Sequence, residues 1–332
     1  MAPTATRPSR ATRATRQAAV VYNPIKVDVH RLRDAVAAAE SREGWRKSVW
    51  LETTEDSPGS EQARTAVADG VDVVLAAGGD GTVRAVAEGL RGTEVALGLL
   101  PVGTGNLLAR NLDMTLTHLS DSVDLAFGGR DRRIDMGVVQ LDRADGSVEE
   151  HSFLVMAGFG LDAKMIANAK PELKARLGWI AYVDAIARAL TDTDRVRVRV
   201  RADGGEERSA SVHTLIAGNC GALPGNVLLL PEAEIDDGLF DIVTFRPEGF
   251  FGWAQIWAKI TWENGVLRRS SVGRKLRSRD RQVRALRYYR ARELTVRLER
   301  AEEFELDGDP FGEVTGFRLR VDPASLTVRV PA

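Results

Sequence analysis

The chain has 332 residues, of which 47 are acidic and 46 basic, and 44% are hydrophobic. That length exceeds what a single core usually holds, so two domains are expected; the apolar fraction argues against general disorder, and the balanced charge excludes a polyanion binder by net charge alone. The one cysteine, Cys220, excludes an intramolecular disulfide or a cysteine-rich zinc site and suits a reducing, cytoplasmic setting, while no run approaches the ~20 apolar residues that span a bilayer.

The first seventeen residues hold Arg7, Arg10, Arg13 and Arg16 among Ala, Thr, Ser and Pro, with no acid and no apolar segment behind them that a secretory signal would need. Residues 1–17 read as a disordered basic arm, and the composition also suits an organelle transit peptide. From 18 to 133 apolar runs alternate with amphipathic ones. Strands are predicted over 18–22, 48–51, 71–77 and 95–100, and helices over 29–40, 61–69, 82–90 and 107–112. This order predicts a Rossmann-like α/β domain with a parallel sheet and ligands beyond the carboxyl ends of its strands. From 134 to 332 the strands 134–141, 150–156, 195–201, 211–217, 239–245, 293–298 and 316–321 are short and often alternate apolar with polar. They predict a second, mostly antiparallel β domain with helical insertions over 163–190 and 250–289.

Three strand ends of the first domain lead into turns of small or polar residues. The run 71–77 is followed by Gly78-Gly79-Asp80-Gly81-Thr82. Paired glycines permit a turn with φ > 0 and leave the amides bare, and a helix starting near Thr82 would aim its N–H groups at the same spot, which suits phosphate. Asp80 would repel phosphate unless a cation lies between, so it points to a magnesium nucleotide. After 95–100 comes Pro101-Val102-Gly103-Thr104-Gly105-Asn106, where Thr104 and Asn106 offer polar groups beside the open backbone at Gly103. After 18–22 comes Asn23-Pro24-Ile25-Lys26, with Lys26 as a point charge for phosphate. One such turn alone would be ordinary βα geometry; three on one sheet, one of them carrying a carboxylate, favour a nucleotide site. No phosphate-loop string ending in Gly-Lys-Ser/Thr is present, and no dinucleotide fingerprint follows the first strand.

Gly78-Gly79-Asp80-Gly81-Thr82 with Pro101-x-Gly103-Thr104-Gly105-Asn106 resembles the catalytic domain of the diacylglycerol and sphingosine kinase family, its bacterial lipid kinases in particular. The likeness extends over most of the chain through Asn23-Pro24, Ile134-Asp135-Met136-Gly137, Pro231-x-Ala233, Asp236-Asp237-Gly238-Leu239-x-Asp241 and Asp307-Gly308-Asp309. It implies a Rossmann-like domain followed by a β-sandwich, and transfer of the γ-phosphate of ATP to a lipid hydroxyl, in the first instance diacylglycerol to phosphatidic acid. By motif match it implies nucleotide contacts from Asn23, Gly78 to Thr82, Arg84, Thr104 and either Thr53 or Thr54. It further implies a catalytic Mg²⁺ held through water by Asp80 and Asp135, and a general base at Asp307 or Asp309. A second, structural magnesium would take the Asp237 side chain and main-chain oxygens of Glu234 and Leu239.

Each assignment has a plainer counterpart. Asp307-Gly308-Asp309 suits a β-turn, Asp236-Asp237-Gly238 an acidic turn, and Arg84 a solvated helix position. Leu107 stands where the family usually has Asp, Arg84-Ala85 where Asn-Glu often follows the glycine-rich turn, and Asp309 is one methylene shorter than the usual Glu.

Arg268, Arg269, Arg274, Lys275, Arg277, Arg279, Arg281, Arg284, Arg287, Arg290 and Arg292 form a basic stretch preceded by Phe250, Phe251, Trp253, Trp257 and Trp262. The pattern suggests peripheral contact with an anionic membrane surface at the inner face, against the alternative that the indoles are core and the arginines solvated. Competing readings are an NAD kinase-like soluble kinase, a catalytically inactive nucleotide- or lipid-binding protein and, most distant, a nucleic-acid binder. Neither the lipid nor the oligomeric state, a homodimer included, is legible here.

Overall fold

The computed structural model describes residues 15–103, 105–114, 118–160, 195–223, 227–247, 252 and 285–331. It divides into two units, one of Met1–Gly103, Thr115–Arg132 and Leu326–Ala332, the other of Thr104–Met114 and Arg133–Ser325. The sequence suggests one break at 133/134; along the chain the unit changes four times. Residues 104–114 join the second unit because Asn111 exchanges two hydrogen bonds with the main chain of Ala222, at 3.0 Å each. The last residues join the first unit because they form a strand in its sheet.

The first unit runs β1 (Ala18–Tyr22), α1 (Val29–Glu43), β2 (Val49–Glu52), α2 (Ser60–Ala68), β3 (Val73–Gly78), α3 (Asp80–Leu90) and β4 (Ala96–Pro101); α4 (Leu107–Asn111) lies in the second unit, and α5 (Leu119–Gly128) returns to the first. Strands β2, β1, β3 and β4 pair in that order, all parallel. Alternate residues of β1, β3 and β4 (Val20, Leu75, Leu100) pack with Leu32 and Val36 of α1 and with Val123 and Phe127 of α5. The intervening residues, such as Val21, Val74 and Leu97, are equally buried, as a sheet covered on both faces requires. Helix α1 starts where the Asp28 carboxylate accepts the Arg31 N–H at 3.1 Å and ends at Gly44, φ 67°. The sequence reading has no α5, whose buried apolar positions cover little more than one turn before two glycines end it.

The second unit is a β-sandwich. One layer holds β14 (Leu286–Ala291), β13 (Phe240–Phe245), β10 (Thr214–Gly218) and β7 (Met156–Phe159), which pairs with the second half of β15 (Glu293–Leu306). The other holds β9 (Arg208–Val212), β8 (Val196–Ala202), the first half of β15, then β16 (Asp309–Val330), β5 (Arg130–Asp142) and β6 (Val148–Phe153). Register shifts between Arg297 and Glu305 let β15 turn from one layer to the other. The inner faces share one core, with Phe153 stacked on Phe240 at 5.4 Å and Phe304 against Phe317 at 4.7 Å. A short pair, β11 (Ala222–Leu223) and β12 (Val227–Leu228), stands apart.

Two single strands of the sequence reading are split. Residues 150–156 become β6 and β7 because the N–H groups of Leu154, Val155 and Met156 bond to the Asp307 carboxylate. Residues 211–217 become β9 and β10 around His213, whose N–H goes to Phe245 O. The helical insertion expected over 250–289 is wrong at its end, where Leu286–Ala291 pairs antiparallel with β13; most of its remainder, and 163–190, lie outside the described residues. Among the described residues no helix is long and apolar enough to cross a membrane.

Candidate functional site

The carboxyl ends of β2, β1, β3 and β4 are tied together by their own main chains. Asn23 N–H donates to Ala77 O at 3.0 Å, Thr53 N–H to Tyr22 O at 3.0 Å and Val102 N–H to Gly78 O at 3.3 Å. The three turns singled out in the sequence therefore share one edge of the first unit, where parallel sheets bind ligands.

The glycine-rich turn is tighter than expected. Helix α3 begins at Asp80 rather than Thr82, with Gly79 as its N-cap at φ −87°, and none of Gly78, Gly79 and Gly81 has positive φ. What these positions need is space. A Cβ on Gly78 would lie 2.6 Å from the Thr82 side chain, and one on Gly79 would lie 3.1 Å from Lys26 Nζ. Buried Thr82 thus packs down on Gly78, and the Lys26 ammonium sits over the bare backbone of Gly79. Amides of a helix N-terminus, a cation above them and a half-buried carboxylate, Asp80, in the first turn form a donor set that suits a phosphate chain carrying a divalent ion.

Other expected contacts have local duties. Asn23 Oδ1 accepts the N–H groups of Ile25 and Lys26 at 3.0 and 3.3 Å, shaping the turn that carries Lys26. Thr53 is buried, whereas Thr54 is exposed and its hydroxyl accepts Ser57 N–H at 3.1 Å. At the end of β1, burial and then the neighbouring Glu52 carboxylate, which accepts the Tyr22 hydroxyl at 2.9 Å, raise the Tyr22 pKa. Arg84 is half-buried on α3, Gly103 ends the first unit's main segment, and Thr104 lies outside the described residues. Asn106 caps α4 in the left-handed region, φ 47°, and Leu107 follows as a buried side chain.

The acidic residues of the second unit are heavily bonded to main chain. Asp135 is buried, and its two carboxylate oxygens accept Gly238 N–H and Ala324 N–H at 2.7 Å each. Asp307 is buried too, and its carboxylate accepts three N–H groups, from Leu154 at 2.9 Å, Val155 at 2.8 Å and Met156 at 3.0 Å. Asp307 and Gly308 have φ 52° and 88°, so they are the central pair of a two-residue hairpin of the I′ kind, and Asp309 follows as the half-buried first residue of β16, opposite Leu306. In the Asp236-Asp237-Gly238-Leu239 segment, Asp237 Oδ1 accepts Leu239 N–H at 3.0 Å. Nearby Pro231 to exposed Glu234 and Arg290 line an open cavity of about 440 Å³. Asp241 is buried against Arg290 at 3.2 Å; burial outweighs the guanidinium and pushes the carboxyl pKa up. Among the described residues, no three His, Cys, Asp or Glu side chains form a group fit for a metal.

Sequence reasoning missed Asn219. It is fully buried, and its Nδ2 donates to Asp135 O at 2.9 Å and to Leu154 O at 3.4 Å, joining the Asp135 strand to the loop that caps Asp307. The signal was an asparagine between glycine and cysteine after an apolar strand, but its partners are more than sixty positions away.

Two family models match the chain: the diacylglycerol kinase catalytic domain over residues 17–139, and the YegS C-terminal NAD kinase beta sandwich-like domain over residues 154–260. A probable lipid kinase YegS-like protein of Pseudomonas aeruginosa is 32% identical over 302 residues, 89% of each chain. The chain belongs to the diacylglycerol and YegS-like lipid kinase family. A diacylglycerol kinase of Mycobacterium tuberculosis is 32% identical over 177 residues, 53% of this chain, and the match spans little more than half, 56%, of that protein's length. A solved structure described as that of a putative diacylglycerol kinase from Bacillus anthracis superposes with TM-score 0.71 over 98% of each chain at 21% identity, a likeness of fold. Membership of this lipid kinase family gives the donor set around Gly79 a chemical context.

Proposed function

We propose that this member of the lipid kinase family transfers the γ-phosphoryl group of magnesium-bound ATP to a lipid hydroxyl, with diacylglycerol the first candidate and phosphatidic acid the product. The observation that carries the reading is the Lys26 ammonium poised over Gly79 at the N-terminus of α3, with Asp80 in that helix's first turn. Phosphoryl transfer asks little covalent chemistry of a protein; positioning and charge neutralisation do most of it. The α3 amides and Lys26 would grip phosphate oxygens, and Asn23 would hold the Lys26 turn in shape. Asp80 would hold the magnesium ion through water, and the ion, when bound, would offset the charge of the phosphate chain.

In the reaction a lipid oxygen forms a bond to the γ-phosphorus while the bond from that phosphorus to the bridging oxygen of ADP breaks. The hydroxyl proton must leave, and Asp309 is the assigned acceptor. Asp307 is the poorer choice, because three N–H bonds stabilise its charged form and lessen its pull on a proton. Asp135, both oxygens bonded to main chain, is assigned to hold the loop of Asp237 and Gly238, with water-mediated contact to the metal as a secondary role. Main-chain oxygens of Glu234 and Leu239 with the Asp237 side chain remain the proposed structural magnesium site.

The test incubates the protein with labelled ATP, Mg²⁺ and, separately, diacylglycerol, sphingosine, ceramide, phosphatidylglycerol and NAD. Labelled phosphatidic acid that disappears in Asp80→Ala is expected. Label on NAD alone would replace the reading with a soluble-substrate kinase, and ATP binding without any labelled product would leave a non-catalytic binder.

A further inference from the structure

The outward face of the β9–β8–β15–β16 layer carries a concentration of arginines that the kinase chemistry does not use. On β8, Val196 and Val198 face the core and Val200 packs against it, while the alternate residues Arg197, Arg199 and Arg201 are exposed. On β15 the same alternation exposes Arg297, and on β16 it turns Arg318 and Arg320 outward beside buried Phe317 and Leu319. The register brings these charges together. Arg199 stands directly opposite Arg297, and one row along, Thr295 has Arg201 on one side and Arg318 on the other.

Like charges paired across strands weaken a sheet, so such an array needs opposing charge from somewhere. Only part of it comes from this chain. Glu299 lies 3.7 Å from Arg197, Glu207 3.9 Å from Arg199 and Glu150 3.9 Å from Arg320, exposed Glu293 stands opposite Arg320 in the register, and the Asp142 carboxylate lies over Gly316, the residue opposite Arg297. Arg318 reaches the neutral Gln140 at 3.0 Å, and among the described residues no carboxylate lies within ion-pair distance of Arg201 or Arg297. The side chains of Arg197 and Arg199 remain 71% and 56% exposed. The whole chain has a formal charge of −1, so long-range attraction to an anionic body must come from a local patch like this one.

We propose that this arginine face, centred on Arg199, Arg201, Arg297 and Arg318, docks the protein on the anionic phospholipid surface of a bilayer. A sheet face is broad and has no walls, so it suits an extended anionic plane better than an enclosed small anion. Guanidinium groups match phosphate oxygens in geometry as well as charge. The choice of bilayer rests on the lipid kinase reading, in that a lipid substrate resides there. The face shares no residue with the basic stretch from Arg268 to Arg292.

The test is sedimentation of the full chain with vesicles of phosphatidylcholine alone or mixed with phosphatidylglycerol, at low and at physiological salt. Two paired variants are used, Arg199→Gln with Arg297→Gln, and Arg201→Gln with Arg318→Gln. Each arginine removed is expected to weaken partition onto the anionic vesicles about five-fold, hence about twenty-five-fold per pair, with the melting temperature unchanged or raised as repulsion is relieved. Phosphorylation of diacylglycerol dispersed in neutral detergent should be unaffected. Wild-type protein that ignores phosphatidylglycerol, or paired variants that bind as it does, would overturn the proposal. Tighter binding to DNA than to vesicles, lost in the same variants, would overturn it in favour of a nucleic-acid surface. If no lipid is ever phosphorylated but anionic vesicles still bind through these arginines, the docking face stands and the kinase reading falls.

Discussion

The Asp307 carboxylate takes three main-chain N–H bonds, and that sets what a substitution there can do. In Asp307→Asn the oxygen nearest Leu154 becomes a donor facing a donor, or the amide flips and strands Val155 and Met156. A loss of about 1–3 kcal/mol of stability is expected, seen as a lower urea midpoint. Asp309→Asn should leave that midpoint nearly unchanged and lower kcat by about 10²–10⁴ with KM little altered, the signature of a lost general base. Equal kcat losses without loss of stability in Asp307→Asn would reverse the two roles. The sequence made both aspartates visible but could not rank them, because the amides that occupy Asp307 come from residues about 150 positions earlier. It likewise marked Gly78 and Gly79 as special, but one of its two reasons fails: neither takes a left-handed φ, and it is contact with Thr82 and Lys26 that leaves no room for a Cβ.

Strands β13 and β14 illustrate how an element's environment sets its response to pH. Asp241 on β13 is buried beside Arg290 on β14, and its pKa is raised because burial penalises the charge more than the half-exposed guanidinium relieves it. A folded-state pKa above the unfolded one means that the folded form binds the proton more tightly. The associated stability is present in acid, below the ordinary carboxylate pKa, and is lost as pH rises through the raised value. Asp241→Asn removes that loss, so thermal melts at a series of pH values should show the variant gaining on the wild type as pH increases from about 4 toward neutrality. A constant difference across that range would refute the assignment. At this scale the sequence was most informative where one period dominates, as in the apolar strands β1, β3 and β4. It failed where a strand is broken for a tertiary purpose, as at Leu154 and His213, and at β14, where arginine-rich composition hid a pairing with β13.

At the scale of the molecule, the first unit is finished by the last residues of β16. The last part of β16 pairs in parallel with β4, Thr327 opposite Ala96 and Val328 opposite Leu97, and it buries Leu326, Val328 and Val330. Arg329 is buried with them and bonds Gly129 O and, at 3.0 Å, the Asp131 carboxylate, while Arg130 donates to Pro331 O at 2.8 Å. Burial of three such side chains contributes roughly 5–9 kcal/mol, which is comparable with the whole stability of an ordinary domain, about 5–15 kcal/mol. No pattern in residues 18–133 announces this dependence, since the four earlier strands already look like a complete βα series. Truncation after Ser325 is therefore expected to unfold the first unit or leave it marginal while the β-sandwich keeps its own core. Urea titration followed by the fluorescence of Trp45 and Trp50, both in the first unit, should show the loss, and binding of a fluorescent ATP analogue should vanish with it. A truncated chain whose unfolding midpoint and nucleotide affinity match the full length would mean that the strand is dispensable and that the sheet of β2, β1, β3 and β4 stands without it.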